Sequence, residues 1–253
     1  MELPRYNVLG VGIHAVNLST ATAHLVSAAR TGTKGYVCCC DAHSITRARR
    51  EPQHRSVLNR ALLATPDGMP LVWAGKQQGF PEVGRTYGPD LMEALCTATA
   101  GTELTHFLYG GATGVAEELA NRLLARFPGL KIAGTETPDW SDDVRELSTK
   151  RIRQVRADFV WIGLSTPKQE AFMDSYHQAA DHPGITLGVG AAFDFLSGRV
   201  RQAPAAWQRV GLEWLWRLGQ EPGRLLPRYL VTVPSFAARM LAQRIGLIRY
   251  PIE

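Results

Sequence analysis

Short apolar runs alternate with amphipathic segments along the first 198 residues of the chain. The apolar runs predict six strands, and the segments with an apolar residue every three or four positions predict helices between them. The predicted strands are 6–11, 35–40, 106–110, 130–134, 158–164 and 185–189. The predicted helices are 20–30, 90–99, 115–127, 142–156 and 167–180. This alternation predicts an α/β fold with a mainly parallel sheet.

The pattern changes after about residue 200, where no further strand is predicted and the helical pattern is interrupted by prolines. We therefore predict a body at 1–198 and a helical appendage at 199–253. Residues 199–249 hold nine arginines and two glutamates, a net charge of +7, whereas the whole chain carries +5. Tryptophan and leucine lie between these arginines. This pattern suits an anionic membrane surface or an anionic ligand, and it equally suits a helix with a solvated basic face.

Charge and cysteine usage limit the kinds of site that the chain can hold. No secretory signal opens the sequence, and no apolar run reaches the roughly 18 residues of a membrane span, so we expect a cytosolic or membrane-surface protein.

Cys38, Cys39 and Cys40 are adjacent in a predicted strand and point alternately to its two faces, which predicts free cysteines rather than a metal site. The chain contains no Asp-x-Asp pair. If it handles a sugar diphosphate, the arginines of the appendage are the obvious counter-charges.

Two loops that follow apolar runs hold candidate residues, because ligands of open α/β sheets bind beyond the carboxyl ends of the strands. Asp67, in a Pro-Asp-Gly sequence, is either an ordinary turn residue or a general base that projects into a cleft. Gly111 lies between a predicted strand and a predicted helix. It is either part of a plain turn or a glycine that lets the backbone approach a phosphate.

Two further loops carry the remaining candidates. Gln169 either completes a capping box with Thr166 at a helix start, or lies where a nucleotide binds, beside Lys168. Gly190 and Asp194 follow the last predicted strand, where small residues leave room for a ligand. Asp194 is either a hydrogen-bond acceptor for a base or ribose, or a local cap.

The candidate loops belong to a longer series of short motifs in a fixed order: TPDGMPLVWA at 65–74, GPDLM at 88–92, FLYGG at 107–111, GLSTPKQE at 163–170, GVGAAFDFLSG at 188–198, AP at 203–204, GLEWLWRL at 211–218 and EP at 221–222. Each motif alone has little specificity. The ordered set resembles the WecG/TagA/CpsF family of glycosyltransferases, glycosyltransferase family 26, over nearly the whole chain.

The resemblance implies an inverting, metal-independent transferase without a cofactor, built from a Rossmann-like body with helices on both faces of its sheet and a C-terminal appendage. It implies a UDP-sugar donor and a polyprenyl-diphosphate-linked sugar acceptor, because family members extend undecaprenyl-diphosphate-linked sugars in surface polysaccharide or teichoic acid synthesis. A peripheral position on the cytoplasmic face of the plasma membrane follows from that acceptor. Some members self-associate, so a homo-oligomer is also implied.

The resemblance assigns roles to individual residues as well. Asp67 matches the position of the catalytic base, and Gln169 matches a glutamine that contacts the sugar. Three arginines match those that close over the donor diphosphate: Arg217, Arg224 and Arg228.

One difference from the family pattern concerns the donor sugar. Where many members have a threonine and an asparagine two residues apart, this chain has Cys39 and Asp41. Asp41 would accept hydrogen bonds from sugar hydroxyls, which makes a UDP-hexose such as UDP-glucose a candidate donor, as in xanthan-type exopolysaccharide assembly. UDP-N-acetylmannosamine or its uronate is the alternative.

Two functions of other classes fit parts of the sequence. A non-catalytic nucleotide- or RNA-binding module would use the basic appendage, but tryptophan and leucine between the arginines fit a membrane better than nucleic acid. We therefore predict no nucleic-acid partner. A nicotinamide-dependent oxidoreductase would share the fold class, but the chain lacks the G-x-G-x-x-G spacing.

Overall fold

The computed structural model describes residues 3–138, 150–178 and 184–252, apart from five side chains, those of Lys150, Ala205, Arg209, Arg224 and Arg228. The strands are β1 (Arg5–Val8), β2 (Val11–His14), β3 (Gly35–Cys40), β4 (Leu63–Pro66), β5 (Thr105–Gly110), β6 (Lys131–Glu136), β7 (Phe159–Gly163) and β8 (Ile185–Gly188). The helices are α1 (Leu18–Arg30), α2 (Ala42–Arg50), α3 (Pro52–Arg60), α4 (Met69–Gln77), α5 (Gly88–Thr99), α6 (Val115–Arg126), α7 (Lys150–Val155), α8 (Lys168–Gln178), α9 (Ala192–Leu196), α10 (Ala205–Arg209), α11 (Glu213–Gln220) and α12 (Pro222–Arg244).

Six strands form one parallel sheet in the order β4-β3-β8-β7-β5-β6. Its central strand β7 is buried along its whole length, as its uninterrupted apolar sequence requires. One face of the sheet packs against α2, α3, α4 and α8, and the other against α1, α5, α6 and α9. The α/β prediction and the Rossmann-like architecture are therefore confirmed.

Five of the six predicted strands agree with the structure to within two residues. The prediction of one strand at 6–11 is wrong, because Leu9 and Gly10 form a two-residue turn between β1 and β2, which pair antiparallel in a separate hairpin. Both turn residues have positive φ angles, 53° and 87°, as the tight turns that match strand twist require. Strand β4 and helices α2 and α3 were not predicted.

The predicted helices agree with the structure to a similar degree. Helices α1, α5 and α6 match three predictions to within two residues. The helix predicted at 142–156 lies partly outside the described residues, and α7 forms its described end. Helix α8 matches the prediction at 167–180, of which residues 179 and 180 lie outside the described residues.

The three adjacent cysteines of β3 lie in or beside the core. Cys38 and Cys40 are buried on the face that packs against α2 and α8, while Cys39 packs towards the opposite face. All three are free thiols. The alternation of faces along β3 is the direct cause of this arrangement.

The appendage returns to the body and packs on it. Helix α12 lies against α2, and its Phe236 is buried in the same core as the helices on that face. Pro227 and Pro234 lie inside α12 and do not end it, contrary to the predicted interruptions. Packing of this kind offsets the cost of about 3 kcal/mol that a proline adds to a helix. The division of the chain near residue 198 stays a prediction.

Candidate active site

A cavity of about 760 Å³ lies at the carboxyl edge of the sheet. The loops after β3, β4, β7 and β8 form its floor, and the appendage helices α11 and α12 form its opposite wall. The parallel strands bring their carboxyl ends to one edge, which is why loops distant in sequence meet there.

Asp67 follows β4 and lines the cavity. Its backbone N–H donates to the carbonyl oxygens of Cys40 and Thr65, at 3.0 and 3.1 Å, so the position of the loop is fixed. The N–H of Gly88 donates to Asp67 Oδ2 at 3.4 Å. The pKa of the Asp67 carboxyl is raised to about 7, and burial is the largest cause of this rise. A carboxylate with this pKa is suited to accept a proton near neutral pH.

The charged neighbours of Asp67 act on the same pKa in opposite directions. The guanidinium of Arg85 lowers it, while the carboxylates of Asp41 and Glu213 raise it. These three groups come from three different segments of the chain, and all three line the cavity. The ionisation of Asp67 therefore depends on tertiary structure.

Asp41 and Cys39 both line the cavity, and their predicted contacts with the donor stay predictions. Asp41 also has a local role, because its Oδ1 accepts the backbone N–H of Ser44 at 2.8 Å and caps α2. Asparagine is as good a residue at this cap as aspartate. The difference between them is therefore charge rather than helix geometry.

Gln169 lies in the first turn of α8 and is 4% exposed. Its Nε2 donates to Glu170 Oε1 at 3.1 Å, whereas its Oε1 is buried and has no partner among the described residues. An unpartnered acceptor beside a cavity fits a ligand that donates a hydrogen bond, such as a sugar hydroxyl. The hydroxyl of Thr166, predicted to cap the helix, instead donates to Glu170 at 2.8 Å.

Gly190 keeps the space beside Gln169 open. Its φ is 49°, and a Cβ at this position would lie 3.4 Å from Gln169 Oε1. Gly190 lines the main cavity, and its predicted role in binding the donor stays a prediction. Gly111, by contrast, is not among the residues that line either cavity, and a Cβ there would lie 2.9 Å from the Cβ of Val115.

A second cavity, of about 290 Å³, adjoins the first and is lined by Asp194. Arg217 and Ser165 line both cavities, so the two share a wall. The guanidinium carbon of Arg217 lies 5.6 Å from the centre of the Phe195 ring, which holds the cation over this wall. The side chains of Arg224 and Arg228 lie outside the described residues, so their predicted roles stay predictions.

Sequence reasoning missed two charged residues of the site, Arg85 and Glu213. Arg85 lies in a segment without a recognisable motif, and Glu213 stands inside the motif at 211–218 without an assigned role. They form an ion pair across the cavity wall. In the described part of the chain, no group of three or more histidine, cysteine, aspartate or glutamate side chains is placed to hold a metal.

Comparison with known proteins now identifies the family. The model of the glycosyl transferase WecG/TagA/CpsF family matches residues 6–250. The chain belongs to this family. It is 30% identical over 225 residues to the N-acetylglucosaminyldiphosphoundecaprenol N-acetyl-beta-D-mannosaminyltransferase of Bacillus spizizenii (strain ATCC 23059 / NRRL B-14472 / W23), a match that covers 88% of this chain and 86% of the relative.

Family membership confirms the resemblance drawn from the ordered motifs, and the protein is a glycosyltransferase. Residues from the motifs at 65–74, 163–170, 188–198 and 211–218 line the main cavity. The motif at 107–111 lies on β5, outside that lining.

Proposed function

We propose that this glycosyltransferase moves a sugar, with inversion and without a metal ion, from a UDP-sugar to a polyprenyl-diphosphate-linked sugar. The observation that carries the proposal is Asp67, a carboxyl group in a loop fixed by backbone hydrogen bonds, with a pKa near neutrality, in the cavity of about 760 Å³ at the sheet edge. The product would enter a bacterial surface or exopolysaccharide.

The reaction is a single displacement. Asp67 takes the proton of an acceptor hydroxyl while that oxygen bonds to the anomeric carbon of the donor. The bond from the anomeric carbon to the diphosphate oxygen breaks on the opposite face, and UDP leaves with the electron pair. The name of the relative specifies a β-linked product, which is the result of one inversion from an α-linked nucleotide sugar.

Arginine supplies the positive charge that the departing UDP requires. The Arg217 guanidinium lines both cavities, so it is placed to pair with a diphosphate that spans them. Arg224 and Arg228, from the first turns of α12, are proposed to join it. Asp194 and the second cavity would take the nucleoside, and the unpartnered Gln169 Oε1 would accept a hydrogen bond from a hydroxyl of the donor sugar.

N-acetylmannosamine is the first candidate for the donor sugar, because the relative carries out N-acetylmannosaminyl transfer. Since aspartate and asparagine cap α2 equally well, Asp41 keeps the geometry of the family position. A hexose such as glucose is the second candidate. The charge of Asp41 and the thiol of Cys39 alter the hydrogen-bonding groups that face the sugar.

Exposed apolar side chains support a peripheral position on the membrane. Fourteen large apolar side chains that are more than a third exposed belong to the appendage: Trp207, Val210, Leu212, Trp214, Leu215, Leu226, Leu230, Val231, Val233, Leu241, Ile245, Leu247, Ile248 and Ile252. Among the described helices, none is long and apolar enough to cross a bilayer. Apolar side chains among arginines bind an anionic membrane surface, here proposed to be the cytoplasmic face.

The cavity extends towards these residues between α4 and α12. Trp73, Val233 and Leu241 line this apolar extension and are themselves 41–58% exposed. An acceptor with its sugar at Asp67 would lead its lipid chain out along it. Self-association, which the resemblance also implied, stays a prediction.

A transfer assay tests the proposal. The purified protein is offered UDP-N-acetylmannosamine, UDP-glucose and other UDP-sugars, with a lipid-diphosphate-linked N-acetylglucosamine or glucose, with and without EDTA. We expect transfer from one donor, unchanged by EDTA and lost in Asp67→Asn. Asp174→Asn is the matched control, because Asp174 pairs with Arg60 outside the cavity. Transfer that survives in Asp67→Asn would refute the assignment of the base.

A further inference from the structure

Arg85 connects the catalytic loop to the appendage. Its Nε donates to the backbone carbonyl of Asp67 at 2.7 Å. Its two terminal nitrogens reach the appendage, where Nη1 donates to Gln208 Oε1 at 3.1 Å and Nη2 donates to Glu213 Oε2. One guanidinium therefore holds the Asp67 loop on one side and two appendage side chains on the other.

Glu213 is held by a second group of the body as well. The hydroxyl of Tyr87 donates to Glu213 Oε1 at 2.8 Å, so both carboxylate oxygens have a partner. The Arg85 guanidinium carbon lies 4.0 Å from the centre of the Tyr87 ring. Glu213 begins α11, so this contact fixes the entry of the appendage helix onto the body.

The low exposure of both partners distinguishes this ion pair from the other arginine–carboxylate pairs in the described part of the chain. The side chains of Arg85 and Glu213 are 16% and 13% exposed, whereas those of the surface pair Arg126 and Glu93 are 58% and 30% exposed. Ion pairs on the surface contribute little to the stability of the fold. Removing one partner of a pair that is shielded from water, however, leaves the other partner as an uncompensated charge. That charge would lie beside Asp67.

Glu213 therefore controls how strongly Arg85 acts on Asp67. The charged and titratable groups that interact with Asp67 are Arg85 and Tyr87 before α5, Asp41 at the start of α2, Cys39 and Cys40 in β3, and Glu213 in α11. In the docked arrangement, Glu213 offsets part of the positive charge that Arg85 brings to Asp67. Without Glu213, Arg85 would stabilise the Asp67 anion and make it a weaker base.

We propose that Glu213 is a positioning residue that couples docking of the appendage to the basicity of Asp67, through Arg85 and Tyr87. The appendage then has a role beyond supplying arginines to the donor diphosphate, because its arrival also makes the base competent. This coupling rests on the proposed function, in which Asp67 accepts the proton of the acceptor.

The experiment compares Glu213→Gln with Glu93→Gln in the full-length protein. The second variant removes the carboxylate of an arginine pair on the outer surface and is the matched control. Carbon-13 NMR follows the titration of the Asp67 carboxyl, assigned by its loss in Asp67→Asn. In parallel, the pH dependence of kcat/KM is measured for each variant.

We expect the Asp67 midpoint to fall by about one pH unit in Glu213→Gln, and the rising limb of kcat/KM to move with it. Glu93→Gln should leave both unchanged. Tyr87→Phe removes only the hydroxyl that donates a hydrogen bond to Glu213. It should shift the Asp67 midpoint in the same direction, but by less. It also provides a milder test should Glu213→Gln lose its fold.

The outcomes separate the coupling from the proposed function. An Asp67 midpoint that is the same in wild type, Glu213→Gln and Tyr87→Phe would overturn the coupling, whatever happens to the rate. A shifted midpoint in a protein that transfers no sugar from any donor would uphold the coupling and refute the proposed function. A lower rate without a shifted pH limb would assign Glu213 a purely structural role.

Discussion

Replacement of Asp67 by asparagine is expected to stabilise the fold while it abolishes sugar transfer. Burial is the largest cause that raises the pKa of the Asp67 carboxyl, to about 7, and the carboxylates of Asp41 and Glu213 act in the same direction against Arg85. The folded protein thus favours the neutral acid. Asparagine has the shape of that acid and no charge to desolvate.

The size and sign of the effect follow from the difference in proton binding between the two states. The carboxyl ionises with its ordinary pKa of 3.8 in the unfolded chain and with a pKa of about 7 in the folded one. Below pH 3.8 the Asp67 carboxyl is protonated in both the folded and the unfolded state, so its ionisation does not lower the free energy of unfolding. Between these two values the free energy of unfolding falls as the pH rises, by about 1.4 kcal/mol per pH unit, and above about pH 7 the loss stays near about 4 kcal/mol.

Urea denaturation of wild type, Asp67→Asn and Asp174→Asn at pH 5 and pH 8 measures this dependence. We expect Asp67→Asn to exceed wild type by about 2 kcal/mol at pH 5 and by about 4 kcal/mol at pH 8. Asp174→Asn removes the negative charge that pairs with Arg60 and one of the two oxygens that accept hydrogen bonds from Arg60 and Tyr36, so it should gain no stability at either pH.

Two results would refute the reasoning. If Asp67→Asn were no more stable than wild type at pH 8, the folded protein would not favour the neutral carboxyl. If the gain were the same at both values of pH, it would come from packing rather than from ionisation. In either case Asp67 would lack the physical property on which its role as a neutral-pH base depends.

Further predictions concern the donor, the leaving group and the membrane. Gln169→Leu should lower kcat/KM for the donor sugar by about tenfold in steady-state assays, because this is the effect expected from the loss of one hydrogen bond to a buried group. Arg217→Lys keeps the charge but loses the paired donors, so kcat should fall by about a hundredfold with little change in KM. Leu230→Glu combined with Leu247→Glu should reduce cosedimentation with anionic vesicles by at least about tenfold, whereas Leu124→Glu, exposed on α6 of the body, should not.

Much of the sheet was predictable from local sequence because its strands are buried on both faces. The β7 sequence is uninterrupted by polar residues, and β8 is short but flanked by glycines. The predicted positions of Asp67, Gln169 and Gly190 at the ligand-binding edge followed from the same rule, since each lies in or just after a loop that follows an apolar run.

The elements that escaped prediction owe their conformation to tertiary contacts. Helices α2 and α3 are rich in arginine and polar residues, and only narrow stripes such as Ile45 and Leu58 reach the core. Strand β4 has four residues, one of them a proline. The pairing of Arg85 with Glu213 joins residues 128 positions apart, so no local sequence pattern predicts it.

The charges that line the cavity come from both body and appendage, so we expect that neither part forms the site alone. Asp41 and Asp67 give the sheet edge two carboxylates, which would repel a sugar diphosphate, and Arg217 brings compensating charge from the appendage. A donor that contacts both parts binds the docked form more tightly than the undocked form. Donor binding and appendage docking are then linked by one coupling free energy. The free energy by which docking strengthens donor binding equals the free energy by which the bound donor stabilises the docked appendage. Through Glu213 the same docked state contains the stronger base, and the reaction is therefore favoured only when both substrate and appendage are in place.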